Sequence, residues 1–216
     1  MSRGRFITFE GGEGAGKTTQ IAALAERLRV AGHRVTTTRE PGGTPLAEKV
    51  RTLLLDPEAT ARTALTEALL FAAARSDHVA GLIRPALDGG AWVLSDRFHD
   101  STRAYQGAAD AVPGEMLDQL ETMAVAGCVP DMTVLLDLPA VMGLERAAQR
   151  AAAAQVHGGP DRFEQRDEAY HGRLRDGFLA RANAEPERFV VVDGAAGVAE
   201  ISIRIWAAVR DRFEVA

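Results

Sequence analysis

The string Gly11-Gly12-Glu13-Gly14-Ala15-Gly16-Lys17-Thr18 constrains this chain more than any other part of it. It fits the spacing G-x-x-x-x-G-K-[S/T] without a mismatch, directly after a short apolar run and directly before a segment of helical spacing. Glycines let the backbone curl so that successive N–H groups converge on phosphate oxygens. The helix that follows adds the positive end of its dipole. Lys17 then reaches the outer phosphates of a nucleoside triphosphate such as ATP, and the Thr18 hydroxyl can ligate Mg²⁺. Gly11, Gly12, Glu13, Gly14, Ala15, Gly16, Lys17 and Thr18 are thus the expected triphosphate site.

Five short runs rich in β-branched or aromatic residues read as buried strands, at 6–10, 34–38, 92–96, 133–137 and 189–193. Helical spacing fills the intervals. Residues 19–31 carry Ile21, Leu24, Ala25 and Leu28 on one face; Leu65, Leu69 and Ala72 mark the next apolar face, and Val198, Ile201, Ile205 and Val209 a closing helix. Alternating strands and helices predict an α/β P-loop NTPase fold: one domain over 1–216 with a five-stranded parallel sheet flanked by helices. Active loops then gather at the carboxyl ends of the strands. Asp96 ends one strand, where an acid next to such a loop can hold the magnesium shell. The stretch 151–160, Ala-rich and ending Gly158-Gly159-Pro160, reads as a mobile surface loop or a lid.

Composition narrows the field. The net charge is −5, from 25 basic and 30 acidic residues, which disfavours sequence-independent nucleic-acid binding. Lys17 and Lys49 are the only lysines among those 25. The guanine-reading element N-K-x-D of switch GTPases is therefore absent from the sequence. The single Cys128 permits no internal disulfide and fits a reducing compartment. No apolar run of about 18 residues reads as a membrane span, so a cytoplasmic location is expected. The five histidines lack metal-ligand spacing and are expected in solvated or core positions.

Further strings then resemble bacterial thymidylate kinases. They are Phe9-Glu10-Gly11-Gly12-Glu13-Gly14, Thr38-Arg39-Glu40-Pro41-Gly42-Gly43-Thr44, Leu53-Leu54-Leu55-Asp56, Phe71-Ala72-Ala73-Ala74-Arg75, Asp96-Arg97-Phe98, Ser101-Thr102-x-Ala104-Tyr105-Gln106-Gly107 and Pro130-Asp131-x-Thr133-x-x-x-Asp137. They follow the family's order and span most of the chain. The resemblance implies Mg²⁺-dependent transfer of a phosphoryl group from ATP to dTMP, giving ADP and dTDP for dTTP synthesis, by a homodimer.

Residue by residue, the resemblance implies that Arg51 and Arg97 hold the dTMP phosphate and that Pro41 lies in the loop beside it. Spacing alone equally suits Arg51 as a solvated helix residue. Arg39 and Glu40 are expected to shape the site. Phe71 and Arg75, one turn apart, would stack on thymine and bond a base carbonyl; spacing alone suits Phe71 as ordinary core. Ser101, Tyr105 and Gln106 resemble the loop that reads base and sugar, with Tyr105 excluding a 2′-hydroxyl. Glu13 would reach the sugar 3′-hydroxyl or a magnesium water; so close to triphosphate it needs a cation or donor to offset it.

The family supplies an arginine from the lid, about 147–163, when the phosphate loop carries none. Arg146, Arg150 and Arg162 are the candidates and Arg150 is preferred; with Lys17 and Arg97 it completes the expected catalytic set. A kinase for another nucleoside monophosphate or for a deoxynucleoside is the alternative enzyme. A nucleotide-switched regulatory protein is the alternative of another class, and its arginine-rich acceptor side would have no use.

Overall fold

The computed structural model describes residues 3–56, 58, 60, 62–109, 111–154 and 162–215. β1 (Phe6–Glu10), β2 (Val35–Arg39), β3 (Trp92–Asp96), β4 (Met132–Asp137) and β5 (Phe189–Asp193) form one parallel sheet in the order β2-β3-β1-β4-β5. All five residues of β1 are buried, as expected of a central parallel strand covered on both faces. The strand expected at 34–38 sits one residue later, because pairing runs from Val35 opposite Trp92 to Arg39 opposite Asp96. β4 begins one residue earlier than expected, at Met132 opposite Ile7.

Side chains alternate across β1, so its two faces build two cores. Ile7 and Phe9 join Ile21, Leu24 and Leu28 of α1 (Lys17–Val30) and Ile201, Ile205 and Val209 of α9 (Val198–Phe213). Phe6 faces the other way, against Val79, Ile83, Leu87 and Phe98. There α3 (Ala64–His78) continues through a widened π turn, Val79–Ile83, into α4 (Arg84–Asp88). On the same side α8 (Glu168–Ala184) sets Leu174 and Phe178 against Leu135 and Phe189.

Two segments differ from the sequence expectation. The buried face of α3 is Glu67, Ala68, Ala74, Arg75 and His78, while Leu69 is half exposed. The Leu65–Leu69–Ala72 face is not the core face. The polar side chains face inward because each meets a partner there: Glu40 takes Arg75 and His78, and Arg162 pairs with Glu67. The second is the stretch 151–160. The helix α7 (Ala140–Ala154) runs four residues into it, since alanine is the strongest helix former. Residues 155–161 of the expected lid lie outside the described part of the chain.

β1 also carries polar side chains into the second face. Thr8 Oγ1 meets Thr133 Oγ1 of β4 at 2.8 Å, and Thr133 accepts Arg188 Nη1 at 2.6 Å. Arg188 in turn forks onto Asp100, at 2.6 and 2.8 Å. Asp100 lies in α5 (His99–Thr102), a short helix that opens into a π turn, Arg103–Ala109. The fork fixes α5 over the end of the sheet. Asp100 is fully buried and Arg188 nearly so. Removing one partner of a buried pair strands the other charge, a loss of about 3–5 kcal/mol. Asp100→Ala is therefore expected to lower the unfolding free energy by that amount in urea titration, and a loss below about 1 kcal/mol would contradict the role.

Candidate active site

The carboxyl ends of β1, β2 and β3 open into a cleft of about 520 Å³. The loop after β1 wraps its floor. Gly11 and Gly14 adopt φ of +137° and +68°, and a Cβ on Gly14 would stand 2.1 Å from the Gly143 carbonyl oxygen of α7. Only glycine fits such a position. The turn delivers Lys17 to the first residue of α1, nearly buried. Its ammonium donates to the carbonyls of Gly11 and Gly12 at 3.1 and 3.0 Å. With three donors, it keeps one beyond these. Burial lowers the Lys17 pKa, Arg97 lowers it further, and Asp96, Glu13 and Glu10 oppose them.

Thr18 Oγ1 donates to Asp96 Oδ2 at 3.0 Å. The pair brings two hard oxygen donors together beside the loop. That chemistry suits Mg²⁺, which takes one or two protein oxygens and completes its shell from phosphates and water.

Arg97 follows Asp96 with φ +72°. Its Nη1 donates to Gly11 O at 3.0 Å and Ser101 Oγ at 3.3 Å, and its Nη2 to Glu13 Oε1 at 2.7 Å. The guanidinium also lies 5.0 Å from the Tyr105 ring centre. Glu13 Oε1 accepts the Tyr105 hydroxyl as well, at 2.6 Å. Burial by itself would raise the Glu13 carboxyl. Arg97, Lys17 and the Tyr105 hydrogen bond outweigh it and bring the group down to about 2. The offsetting cation that the sequence demanded for Glu13 is Arg97.

The third wall comes from α2 (Pro45–Leu55) and α3. Arg51 donates to Pro41 O at 3.0 Å, tying α2 to the loop after β2. Arg75 is nearly buried and gives Nε to Glu40 at 2.7 Å, Nη1 to Thr102 at 3.1 Å and Nη2 to Phe98 O at 3.1 Å. Glu40 also takes His78 Nδ1 at 3.0 Å, so it shapes the wall and stays off the floor. Arg39 is exposed and pairs with Glu48 at 3.2 Å. Phe71 is only partly buried, and its ring lies 6.1 Å from that of Phe163. Phe163 meets Tyr105 edge-on at 5.5 Å.

The cleft thus gathers Glu13 to Thr18 with Pro41, Arg51, Phe71, Arg75, Asp96, Arg97, Ser101, Tyr105, Gln106 and Arg150. Gly11 and Gly12 lie behind it and offer their carbonyls. Of the lid arginines, Arg150 lines the cleft, 3.6 Å from Glu164. Arg146 donates instead to Gly194 O at 2.8 Å, and Arg162 pairs with buried Glu67. Ser101 donates its hydroxyl to Glu10 at 2.7 Å. Gln106 is buried, and among the described residues neither end of its amide meets a hydrogen-bond partner. The sequence reading gave no role to Glu10, Glu67, Thr102 or Phe163. Glu10 had a visible signal, as an acid ending a buried strand.

Glu13 titrates with a definite sign. Its folded value of about 2 lies below its ordinary 4.5, so its contribution is complete above 4.5 and fades as pH falls toward 2. Over that interval the native protein is expected to lose up to about 1.4 kcal/mol per pH unit more than a Glu13→Gln variant. Urea midpoints between pH 7 and pH 3 measure the difference, and parallel curves would contradict it.

A family model described as thymidylate kinase matches residues 9–205. The thymidylate kinase of Nitrobacter hamburgensis is 53% identical over 217 residues, covering 100% of this chain and 92% of that relative. That of Deinococcus radiodurans is 51% identical over 212 residues, covering 98% and 99%. A crystal structure of thymidylate kinase from Ehrlichia chaffeensis superposes with a TM-score of 0.75 at 33% identity, over 96% of this chain and 99% of that one. The cleft therefore sits on a P-loop NTPase fold, and the chain belongs to the thymidylate kinase family.

Proposed function

We propose that this chain transfers the γ-phosphoryl group of ATP to dTMP, giving ADP and dTDP. The observation that carries the reading is one cleft lined by the phosphate loop with Lys17, by Arg51, Arg75 and Arg97, and by the aromatic side chains Phe71 and Tyr105. It accommodates two anions and one ring. The chemistry needs little more. A phosphate monoester with a second pKa of about 6 is mostly dianionic at pH 7. Its oxygen attacks the γ-phosphorus without a base; the bond to the β–γ bridging oxygen breaks, and ADP leaves with the electron pair. The protein's work is alignment and neutralisation at a loose transition state.

In this reading Lys17 and the N–H groups of Gly11 to Thr18 cradle the triphosphate. Arg97 and Arg51 hold the acceptor phosphate. Phe71 stacks on the base, and Arg75 and Gln106 present donors to its edge. Ser101 supports Arg97, and Tyr105, held by Glu13, closes the sugar side. Arg150 reaches the transferred group from α7. Thr18 and Asp96 would hold Mg²⁺, which when bound neutralises phosphate charge. We further infer a cytoplasmic homodimer. Among the described residues no helix is long and apolar enough to cross a membrane. Exposed Leu53, Leu69, Met116 and Met123 lie on α2, α3 and α6 (Gly114–Val125) and supply apolar surface for a second copy. Gel filtration decides that point.

The test is ADP release with ATP and a panel of acceptors. Activity is expected with dTMP and not with thymidine; the reverse would sink the reading. Lys17→Ala is expected to cut turnover by on the order of 10³ or more with the circular dichroism spectrum kept. Phe71→Ala should raise the KM for dTMP by about tenfold while that for ATP stays within about twofold.

A further inference from the structure

Glu10 is the last residue of β1 and directly precedes the phosphate loop, and the transfer chemistry does not use it. Its side chain is fully buried. Oε1 accepts the Phe98 N–H at 2.8 Å and Oε2 meets the Ser101 hydroxyl at 2.7 Å. Phe98 and Ser101 fall within the turn that begins at Arg97. That turn is strained, since Arg97 holds φ +72°, a region that costs any residue with a Cβ. Such a conformation persists only where its surroundings over-determine it. Here Arg97 N–H donates to Phe9 O at 2.9 Å, and Ser95 Oγ donates to Arg97 O at 2.8 Å. Glu10 adds the two contacts just beyond. The Ser101 hydroxyl oxygen also lies 3.3 Å from Arg97 Nη1, so it links Glu10 to the guanidinium.

We propose that Glu10 is a positioning residue: its two carboxyl oxygens clamp the 97–101 turn to the end of β1, so that the Arg97 guanidinium meets the acceptor phosphate beside the phosphate loop. The inference rests on the reading of Arg97 as a ligand of that phosphate. The clamp works by geometry more than by charge. Burial, and after it the charge of Asp100, push the Glu10 carboxyl well above the ordinary carboxylate range. In the protonated form Oε1 still accepts from Phe98, and Oε2 donates to Ser101 Oγ. A glutamine makes the same two contacts, through its carbonyl and its amide N–H. An aspartate keeps the acid but is one methylene short and cannot span both.

Steady-state kinetics of the full chain with dTMP and ATP tests this. A displacement of about 1 Å in a catalytic group costs up to about a hundredfold. Glu10→Asp is accordingly expected to lose about tenfold or more in kcat/KM for dTMP, with the KM for ATP within about twofold. Glu10→Gln should stay within about threefold of the native protein on both substrates. Glu10→Asp added to Arg97→Ala should cost nothing further, because the clamp acts through Arg97. Native-like kinetics in Glu10→Asp, an equal rise in the KM for ATP, a Glu10→Gln variant as poor as Glu10→Asp, or a fully multiplicative double variant would each overturn the proposal. Should Glu10→Asp fail to fold, Ser101→Ala removes one of the two contacts. A loss of about threefold or more for dTMP alone is then expected, and native kinetics overturns the clamp. If Arg97→Ala itself keeps native dTMP kinetics, the phosphate-ligand reading falls and takes the clamp with it. If Arg97→Ala is impaired and Glu10→Asp is not, only the clamp falls.

Discussion

The ion pair between Arg97 and Glu13, 2.7 Å long, joins the loops that leave β3 and β1, and the cleft is laid out around it. The Glu13 oxygen that takes Arg97 also takes the Tyr105 hydroxyl, and the Arg97 guanidinium lies by the Tyr105 ring. The three side chains form a closed triangle. It couples the phosphate loop, the strained turn after β3 and the π turn beyond α5. A buried ion pair adds little net stability, because desolvation offsets most of its attraction. Its value here is registry. Neither loop can shift without stranding a charge, and so the two loops keep a fixed separation.

The same geometry explains how two cations tolerate each other. Burial lowers the Lys17 pKa first and Arg97 lowers it next, while Asp96, Glu13 and Glu10 pull the other way. Glu13 and Asp96 hold Arg97 protonated against burial. Both side chains already donate to backbone carbonyls of the phosphate loop. Neither exhausts its donors. Lysine offers three and arginine five, against two used by Lys17 and, with Ser101 and Glu13 counted, three used by Arg97. Two cations with donors to spare, at the end of a sheet where helix N-termini also point, favour ligands bearing several phosphate oxygens.

Much of this was legible in the sequence. The glycine string and the five apolar runs predicted the loop, the sheet and its strands to within one residue, because buried parallel strands leave a dense apolar signature. The i, i+4 pair Phe71 and Arg75 does line the cleft. The inward face of α3 was not legible. Leu65, Leu69 and Ala72 have core spacing, yet the helix buries Glu67, Arg75 and His78. Their partners, Arg162, Glu40, Thr38 and Thr102, lie far off in sequence. Periodicity carries no information about a partner 35 or 95 residues away, and a buried charge declares itself only through that partner. Glu10 was visible as an acid ending a strand, but its role was hidden for the same reason. It reads as the polar end of a strand, while both its contacts come from the turn after β3.

The choice between a phosphate and an alcohol acceptor turns on basicity. An alcohol must surrender a proton as it attacks, so a nucleoside acceptor calls for a carboxylate whose affinity for protons approaches that of the working pH. Glu13 lies in the phosphate loop beside Arg97 and Lys17, and it sits at about 2 because these outweigh the effect of its burial. A group that acidic is a poor general base. Asp96 already accepts the Thr18 hydroxyl and is engaged with the phosphate loop. Glu40 is spent on Arg75 and His78, and Glu10 on Phe98 and Ser101. The acids of the cleft are arranged to hold cations and turns in place. An acceptor that arrives already ionised asks nothing else of them.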